Sequence, residues 1–269
     1  MSSFILAVAQ FAVTTDPPEN LKNSLKLIEM GAHRGADLVV LPESSMYSDP
    51  LKQRPGQRHT EPLDGTFVSA IRQAAKDHHV HVIAGMTEKV AGELPFNTLV
   101  YVNPEGDLAG VYRKVHLYDA FGYRESDDVR AAQPEALVFD VGGVKVGAAT
   151  CYDVRFPEMS RFLVDHGADI IVLPTAWVTG PLKEFHWETL IKARAIENTI
   201  YFAGSGQSGP ARIGGSVIVD PMGVTIASAG ESGTGVAIAT ITTDRIAQVR
   251  QTNPSLANRR FSVIPLSQN

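Results

Sequence analysis

The chain has a single cysteine, Cys151, in 269 residues. That scarcity excludes an intrachain disulfide framework and a thiolate zinc cluster. Positive charge is in short supply too. A net charge of −5 leaves no footprint for nucleic acid or an anionic membrane. No apolar run approaches the roughly 20 residues that span a bilayer. The N-terminal stretch Met1–Gln10 lacks a basic region and a small-residue cleavage site, so it reads as a first strand and not as a signal peptide. The cytoplasm is the expected location. There is no Pro/Gly/Ser linker, no charge run and no repeat of fixed period. One domain over residues 1–269 is therefore expected, with a C-terminal tail from about residue 251.

What the chain does have is a dense series of short β-rich apolar segments. They are Phe4–Phe11, Leu38–Leu41, Val80–Ala84, Thr98–Val102, Leu108–Tyr112, Leu137–Phe139, Val144–Ala149, Ile170–Leu173, Ile200–Ala203, Ser216–Val219, Val224–Ala227 and Gly235–Ile241. Amphipathic stretches at helical spacing separate some of them: Glu19–His33, Thr66–His78, Pro157–His166, Leu182–Asn198 and a short Asp244–Arg250. Strand–helix–strand units predict parallel pairing. Adjacent strand pairs near 98–112, 137–149 and 216–227 predict hairpins. The packing that satisfies both is an α/β fold, a four-layer αββα sandwich of two mixed β-sheets with helices outside.

Two motifs attract attention and lose it. Gly204-Ser205-Gly206-Gln207-Ser208-Gly209 spells a dinucleotide fingerprint, but Pro210 and another β-like run follow where a helix must begin. It reads as a loop between strands. His78-His79-Val80-His81 has no metal-site spacing or partnering carboxylates, and His78 and His79 suit a helix C-terminus. No metal and no organic cofactor is expected.

Three segments carry chemistry together. In Leu41-Pro42-Glu43 a buried strand runs into a proline, leaving Glu43 at the strand's C-terminal end, where carboxylates face clefts in open sheets. Read alone, Glu43 is a solvated loop residue. In Tyr112-Arg113-Lys114-Val115-His116-Leu117, Lys114 closes a second β-like run. Read alone, it is an exposed lysine blunting an edge strand. Cys151 stands between the apolar run Val144–Ala149 and a helix start at Phe156-Pro157-Glu158. Such sharp strand-to-helix turns lift a nucleophile clear of the backbone; read alone, a lone cysteine is a buried inert residue. Together the three supply a base, a cation and a nucleophile.

These residues resemble the motifs of the nitrilase superfamily, the carbon–nitrogen hydrolases. Leu41-Pro42-Glu43, Tyr112–Leu117 and Cys151-Tyr152-Asp153-Val154-Arg155-Phe156-Pro157-Glu158 are similar to its three motifs in order and approximate spacing. Pro174-Thr175-Ala176-Trp177, Lys192–Asn198 and the Gly215–Gly223 region extend the likeness to roughly residues 4–250. The resemblance implies an αββα sandwich and a homodimer or larger homo-oligomer. It implies Cys151 as nucleophile, Glu43 as general base and Lys114 as oxyanion stabiliser. Glu125 would be a second glutamate positioning Lys114 and substrate, although its Asp- and Arg-rich loop otherwise reads as solvated surface. Tyr152 and Trp177 are implied as substrate-binding residues. Asp153 and Arg155 are expected to brace the turn, and Arg194 and Glu197 to support it from behind.

Trp177–Asn198 is most similar to the small aliphatic amidases, the branch of omega-amidases and deaminated glutathione amidases. Arg259-Arg260-Phe261-Ser262 departs from that branch's usual ending. The resemblance implies a small, linear, carboxylate-bearing amide and water as reactants. Nitrile and N-carbamoyl hydrolysis by the same residues, and a non-catalytic assembly role, remain open. Specificity is expected from the segments Tyr47–His59, His116–Arg130 and Trp177–His186.

Overall fold

A computed structural model describes residues 2–51 and 59–266. The first sheet begins with β1 (Ser3–Gln10), followed by α1 (Pro17–His33), β2 (Leu38–Val40), α2 (Thr66–His78), β3 (His81–Glu88), β4 (Phe96–Val102) and β5 (Leu108–Arg113). Asp16 caps α1 by accepting the Glu19 N–H at 3.2 Å, and prolines occupy its first turn, where the missing N–H costs nothing. A two-strand ribbon, β6 (Asp119–Ala120) and β7 (Tyr123–Arg124), links to the second sheet.

The second sheet comprises β8 (Leu137–Val141), β9 (Val144–Ala148), β10 (Ile170–Thr175), β11 (Tyr201–Gly206), β12 (Ser216–Val219) and β13 (Thr225–Gly230), with α3 (Pro157–Asp165) and α4 (Lys183–Asn198) between them. Then β14 (Gly235–Thr242) returns to pair with β1, and α5 (Thr243–Thr252) follows. The sheet orders are β14-β1-β2-β3-β4-β5 and β13-β12-β11-β10-β9-β8. In each, three parallel strands are flanked by antiparallel ones.

Alternation along β1 sorts its side chains by layer. Phe4, Leu6 and Val8 enter the core shared by both sheets, whereas Ala7 and Ala9 face the α1 and α2 layer with Leu27, Ile28 and Phe67. Trp187 and Ile191 of α4 cover the far face of the second sheet. Each such fully buried side chain contributes about 1.5–3 kcal/mol of transfer free energy. The result is the expected αββα sandwich.

No repeat of fixed period is present, but one short unit occurs twice. Gly35-Ala36-Asp37-Leu38-Val39-Val40-Leu41-Pro42 and Gly167-Ala168-Asp169-Ile170-Ile171-Val172-Leu173-Pro174 lead into β2 and β10, the middle parallel strands of their sheets. Both glycines have positive φ, +82° and +96°. Asp37 N donates to Ile5 O at 2.8 Å, and Asp169 N to Lys145 O at 2.8 Å. Each carboxylate accepts in return from that same residue's N–H, at 2.7 and 3.4 Å. The two Leu-Pro ends therefore occupy equivalent places. After one comes Glu43; after the other come Thr175 and Ala176.

The fingerprint-like glycines also belong elsewhere. Gly204 and Gly206 lie within β11 and not in a loop. A Cβ on Gly204 would stand 2.5 Å from Trp187, so its glycine serves helix-on-sheet packing. His79 ends α2 in the left-handed conformation, and His81 Nδ1 pairs with the Tyr101 hydroxyl at 2.9 Å. Among the described residues no helix is long and apolar enough to cross a membrane.

Candidate active site

Glu43 leaves the end of β2 in a turn pressed against β3. The close approach needs Gly85, since a Cβ there would stand 2.6 Å from Ser44 N and 2.8 Å from Glu43 Cα. Glu43 is buried, not solvated. Its Oε1 accepts from Lys114 Nζ at 2.9 Å and Asn97 Nδ2 at 2.8 Å. Its Oε2 accepts from Ala176 N at 2.7 Å, at the end of the duplicated strand. Gln207 holds the Glu43 carbonyl at 2.7 Å.

Lys114 follows β5, an edge strand, yet it is 2% exposed and so does not blunt that edge. The chain turns it inward between two carboxylates, Glu43 and Glu125, each at 2.9 Å. Two of its three ammonium hydrogens are thereby used, leaving one for a further acceptor. Glu125 is likewise buried, against the surface reading of its loop. It accepts from Asn97 Nδ2 at 3.0 Å and Tyr118 N at 2.7 Å.

Asn97, at the start of β4, is a residue that the sequence reading missed. One amide group bridges both glutamates. The available signal was an asparagine in an otherwise apolar strand, a polar group that burial obliges to find partners.

Cys151 has φ +45°, a left-handed conformation costing a non-glycine residue about 1–2 kcal/mol. The turn is over-determined by Asp153, which is buried. Its Oδ2 accepts from Thr150 N at 2.8 Å and the Tyr112 hydroxyl at 2.6 Å. Its Oδ1 accepts from His116 N at 3.2 Å and lies 2.8 Å from His116 Nδ1. Asp153 thus grips the chain on both sides of Lys114. Behind it, Arg194 Nε donates to Val154 O at 2.9 Å and Nη1 meets Glu197 at 3.0 Å. The Arg155 guanidinium lies 4.9 Å from the Trp177 ring centre, and its Nη2 lies 3.4 Å from His186 Nδ1.

The electrostatics separate the three groups. Burial, and then the Glu43 charge, push the Cys151 thiol up to about 12. Burial also opposes ionisation of Glu43, but the Lys114 charge and hydrogen bonds from Lys114, Asn97 and Cys151 hold it below the usual carboxylate value. Lys114 is penalised by burial and still lies well above an ordinary lysine, because Glu125 and Glu43 flank it. The resting site is an un-ionised thiol and an ionised carboxylate, the carboxylate hydrogen-bonded to an ammonium ion.

All four residues line one cleft of about 1040 Å³, with Tyr118, Tyr152, Trp177, Lys183 and Arg212. Tyr152 and Trp177, read as substrate-binding residues, both line this cleft. Of the specificity segments, 52–58 lies outside the described residues; Tyr47–Pro50, Tyr118–Asp128 and Trp177–Lys183 all contribute to the wall. Arg212 comes from a segment the sequence did not implicate.

The chain belongs to the carbon–nitrogen hydrolase family, whose pattern matches residues 5–251. It is an enzyme of the nitrilase superfamily, on the amidase side. The deaminated glutathione amidase of Escherichia coli O157:H7 is 39% identical over 258 residues, 96% of this chain and 98% of that enzyme. The omega-amidase NIT2 of Xenopus tropicalis is 32% identical over 276 residues, 98% and 97% of the two chains. Among solved structures, a double mutant of the amidase from Nesterenkonia sp. AN1, in complex with acrylamide, superposes with a TM-score of 0.83 at 26% identity, covering 97% of this chain and 95% of that one. A single mutant of that amidase, with Gln replacing Glu, is described with the acetamide moiety of fluoroacetamide added covalently at its active-site cysteine.

Proposed function

We propose that the chain hydrolyses a small, linear, carboxylate-bearing amide to a carboxylic acid and ammonia through a thioester on Cys151. One observation carries this reading: Lys114 Nζ lies 2.9 Å from the Glu43 carboxylate in the cleft that also holds Cys151, with Glu43 held ionised and the buried thiol kept un-ionised. As sulfur attacks the amide carbonyl, the thiol proton passes to Glu43. The oxyanion forms beside the remaining Lys114 hydrogen and the Tyr152 N–H, which the turn leaves free at its start. Glu43 then delivers its proton to the amide nitrogen, the C–N bond breaks and ammonia leaves. Water attacks the thioester, giving its proton to Glu43. Collapse expels the Cys151 sulfur, which takes that proton back. Glu125 and Asn97 hold Lys114 and Glu43 in place throughout. The Nesterenkonia amidase supports the nucleophile by carrying its covalent adduct at a cysteine.

The deaminated glutathione amidase and omega-amidase relatives support the amide over the nitrile or carbamoyl substrate. The test is ammonia release from a panel of amides, nitriles and N-carbamoyl compounds, with Cys151→Ser as control. Release from amides that the mutant loses is expected. Release from nitriles or carbamoyl compounds alone, or release that survives in Cys151→Ser, overturns the reading.

The enzyme is proposed to work as a homo-oligomer. Exposed Ile196, Met222 and Val224 support this, since Ile196 packs beside Gly223, which Met222 and Val224 flank in the chain. Light scattering that returns a monomer mass at micromolar concentration would remove it.

A further inference from the structure

Arginine in this protein is generally found beside a carboxylate. Arg113 pairs with Glu88, Arg130 with Glu93, Arg194 with Glu197, Arg245 with Asp220 and Arg259 with Asp165. Arg212 does not. Among the described residues its one hydrogen bond runs from Nη1 to Ala211 O at 3.1 Å, and its buried Nε has no partner. Yet it lines the same cleft as Cys151. Its electrostatic neighbours are Glu43, Cys151, Tyr123 and Tyr118, which oppose the fall in its pKa that burial causes. A guanidinium donor taken out of water without an acceptor carries an uncompensated desolvation cost.

The backbone holds it there under strain. Ala211 has φ +61°, a conformation an alanine rarely adopts. The segment stays in place because Val178 and Arg212 form an antiparallel bridge, Thr179 N donates to Ala211 O at 3.2 Å and Ile213 N to Trp177 O at 3.1 Å. Strain kept beside a reactive group is a mark of a positioned side chain. Two other described cations nearby have contacts of their own. Lys183 Nζ donates to the Tyr118 hydroxyl at 2.8 Å and lies 3.3 Å from the centre of the Phe121 ring. Arg155 turns its guanidinium over Trp177.

We infer that Arg212 is the substrate's carboxylate anchor: it binds, through Nε and an Nη, the carboxylate at the far end of the amide that Cys151 attacks. A planar guanidinium matches a carboxylate in bidentate fashion. Lys183 adds positive potential without giving up its tyrosine. The inference rests on the amidase reading for which end of the substrate reacts, but the binding site itself does not require turnover.

The experiment separates the two. Cys151→Ala protein is titrated calorimetrically with glutaramate and succinamate, and with the matched neutral diamides glutaramide and succinamide. Tighter binding of the acid-bearing member of each pair is expected. Adding Arg212→Gln should weaken that member about 10- to 100-fold, the loss of a charge-assisted pair, and collapse the difference within each pair. Arg212→Lys should restore part of it, which a merely structural arginine would not do. No preference for the acids in Cys151→Ala, or an equal loss for acids and diamides in Arg212→Gln, overturns the assignment. Ammonia release by the Cys151 protein judges the amidase reading separately. If acids bind through Arg212 and no amide is hydrolysed, the anchor stands and the reaction is wrong.

Discussion

The Tyr112 hydroxyl donates a 2.6 Å hydrogen bond to Asp153 Oδ2. It ties the strand that delivers Lys114 to the turn that delivers Cys151. Burial, followed by the Asp153 charge, keeps the pKa of Tyr112 well above its ordinary value, so the hydroxyl remains a donor at any working pH. Tyr112→Phe keeps the ring and removes this donor. Leaving a buried carboxylate one partner short costs about 1–3 kcal/mol, a fall of several degrees in Tm for a chain of this size. Activity should fall further than stability explains, because Lys114 and Cys151 lose their shared brace. Tyr101→Phe, remote from the turn, is the control in both scanning calorimetry and ammonia release. Equal effects of the two variants would refute the brace.

Glu43 raises the pKa of the thiol that the proposed mechanism has it deprotonate. Its negative charge is the second cause, after burial, of the high Cys151 value, and Lys114 is the opposing cation. Glu43→Gln removes the anion and leaves the ammonium. The thiol pKa should then fall from about 12 while hydrolysis is lost, the reverse of what a thiolate enzyme would show. Thiolate absorbance near 240 nm reads this directly, since the chain has one cysteine. A rise in the Cys151 pKa in Glu43→Gln would show that the base acts otherwise.

Asn97 sets where Glu43 ionises. With a folded pKa below its unfolded value, Glu43 contributes stability that is present above the usual carboxylate range and lost as pH falls through the lowered value. The Asn97 hydrogen bond is one of the lowering influences. Asn97→Ala therefore moves the folded pKa upward and closes the window at higher pH. The acid limb of the kcat/KM profile should shift up, because that limb reports the free enzyme's base. An acid limb that stays put would mean that Glu43 does not set it.

Gly85 has a role that only close approach explains. In Gly85→Ala the new Cβ would stand 2.6 Å from the Ser44 amide nitrogen, a backbone atom that cannot swing aside. The Glu43 turn must move. Displacement of a catalytic base by about 1 Å costs on the order of 100-fold in rate. A large fall in kcat with a cooperative unfolding transition is expected; wild-type kcat would show that the turn has slack.

Much of the fold was legible because hydrophobic period and turn residues are local properties. Ser216–Val219 and Thr66–His78 were placed to the residue, and most other boundaries fell within a few positions. Extensions such as β3 running on to Glu88 were lost because polar ends such as Thr87 and Glu88 break the apolar run yet still pair with β4. The duplicated Gly-Ala-Asp unit was on view as letters, but one repetition separated by so much chain carries little weight until both copies prove to make the same bonds. Glu43, Lys114 and Cys151 were recognised by the company they keep in the family motifs. Asn97 and Arg212 belong to no such motif, and a lone asparagine or arginine announces nothing until its partners are known.

The sequence by itself determined the elements, the two-sheet sandwich and the candidate site residues, since these follow from periodicity, strand ends and motif order. Only the tertiary structure decided the chemistry's setting. Burial and distance make Lys114 a buried ion between two glutamates and not an edge charge, keep the Cys151 thiol protonated against an ionised Glu43, and leave Arg212 without a carboxylate partner among the described residues. Desolvation and Coulomb energy depend on what surrounds a group in space, and residues far apart along the chain supply those surroundings.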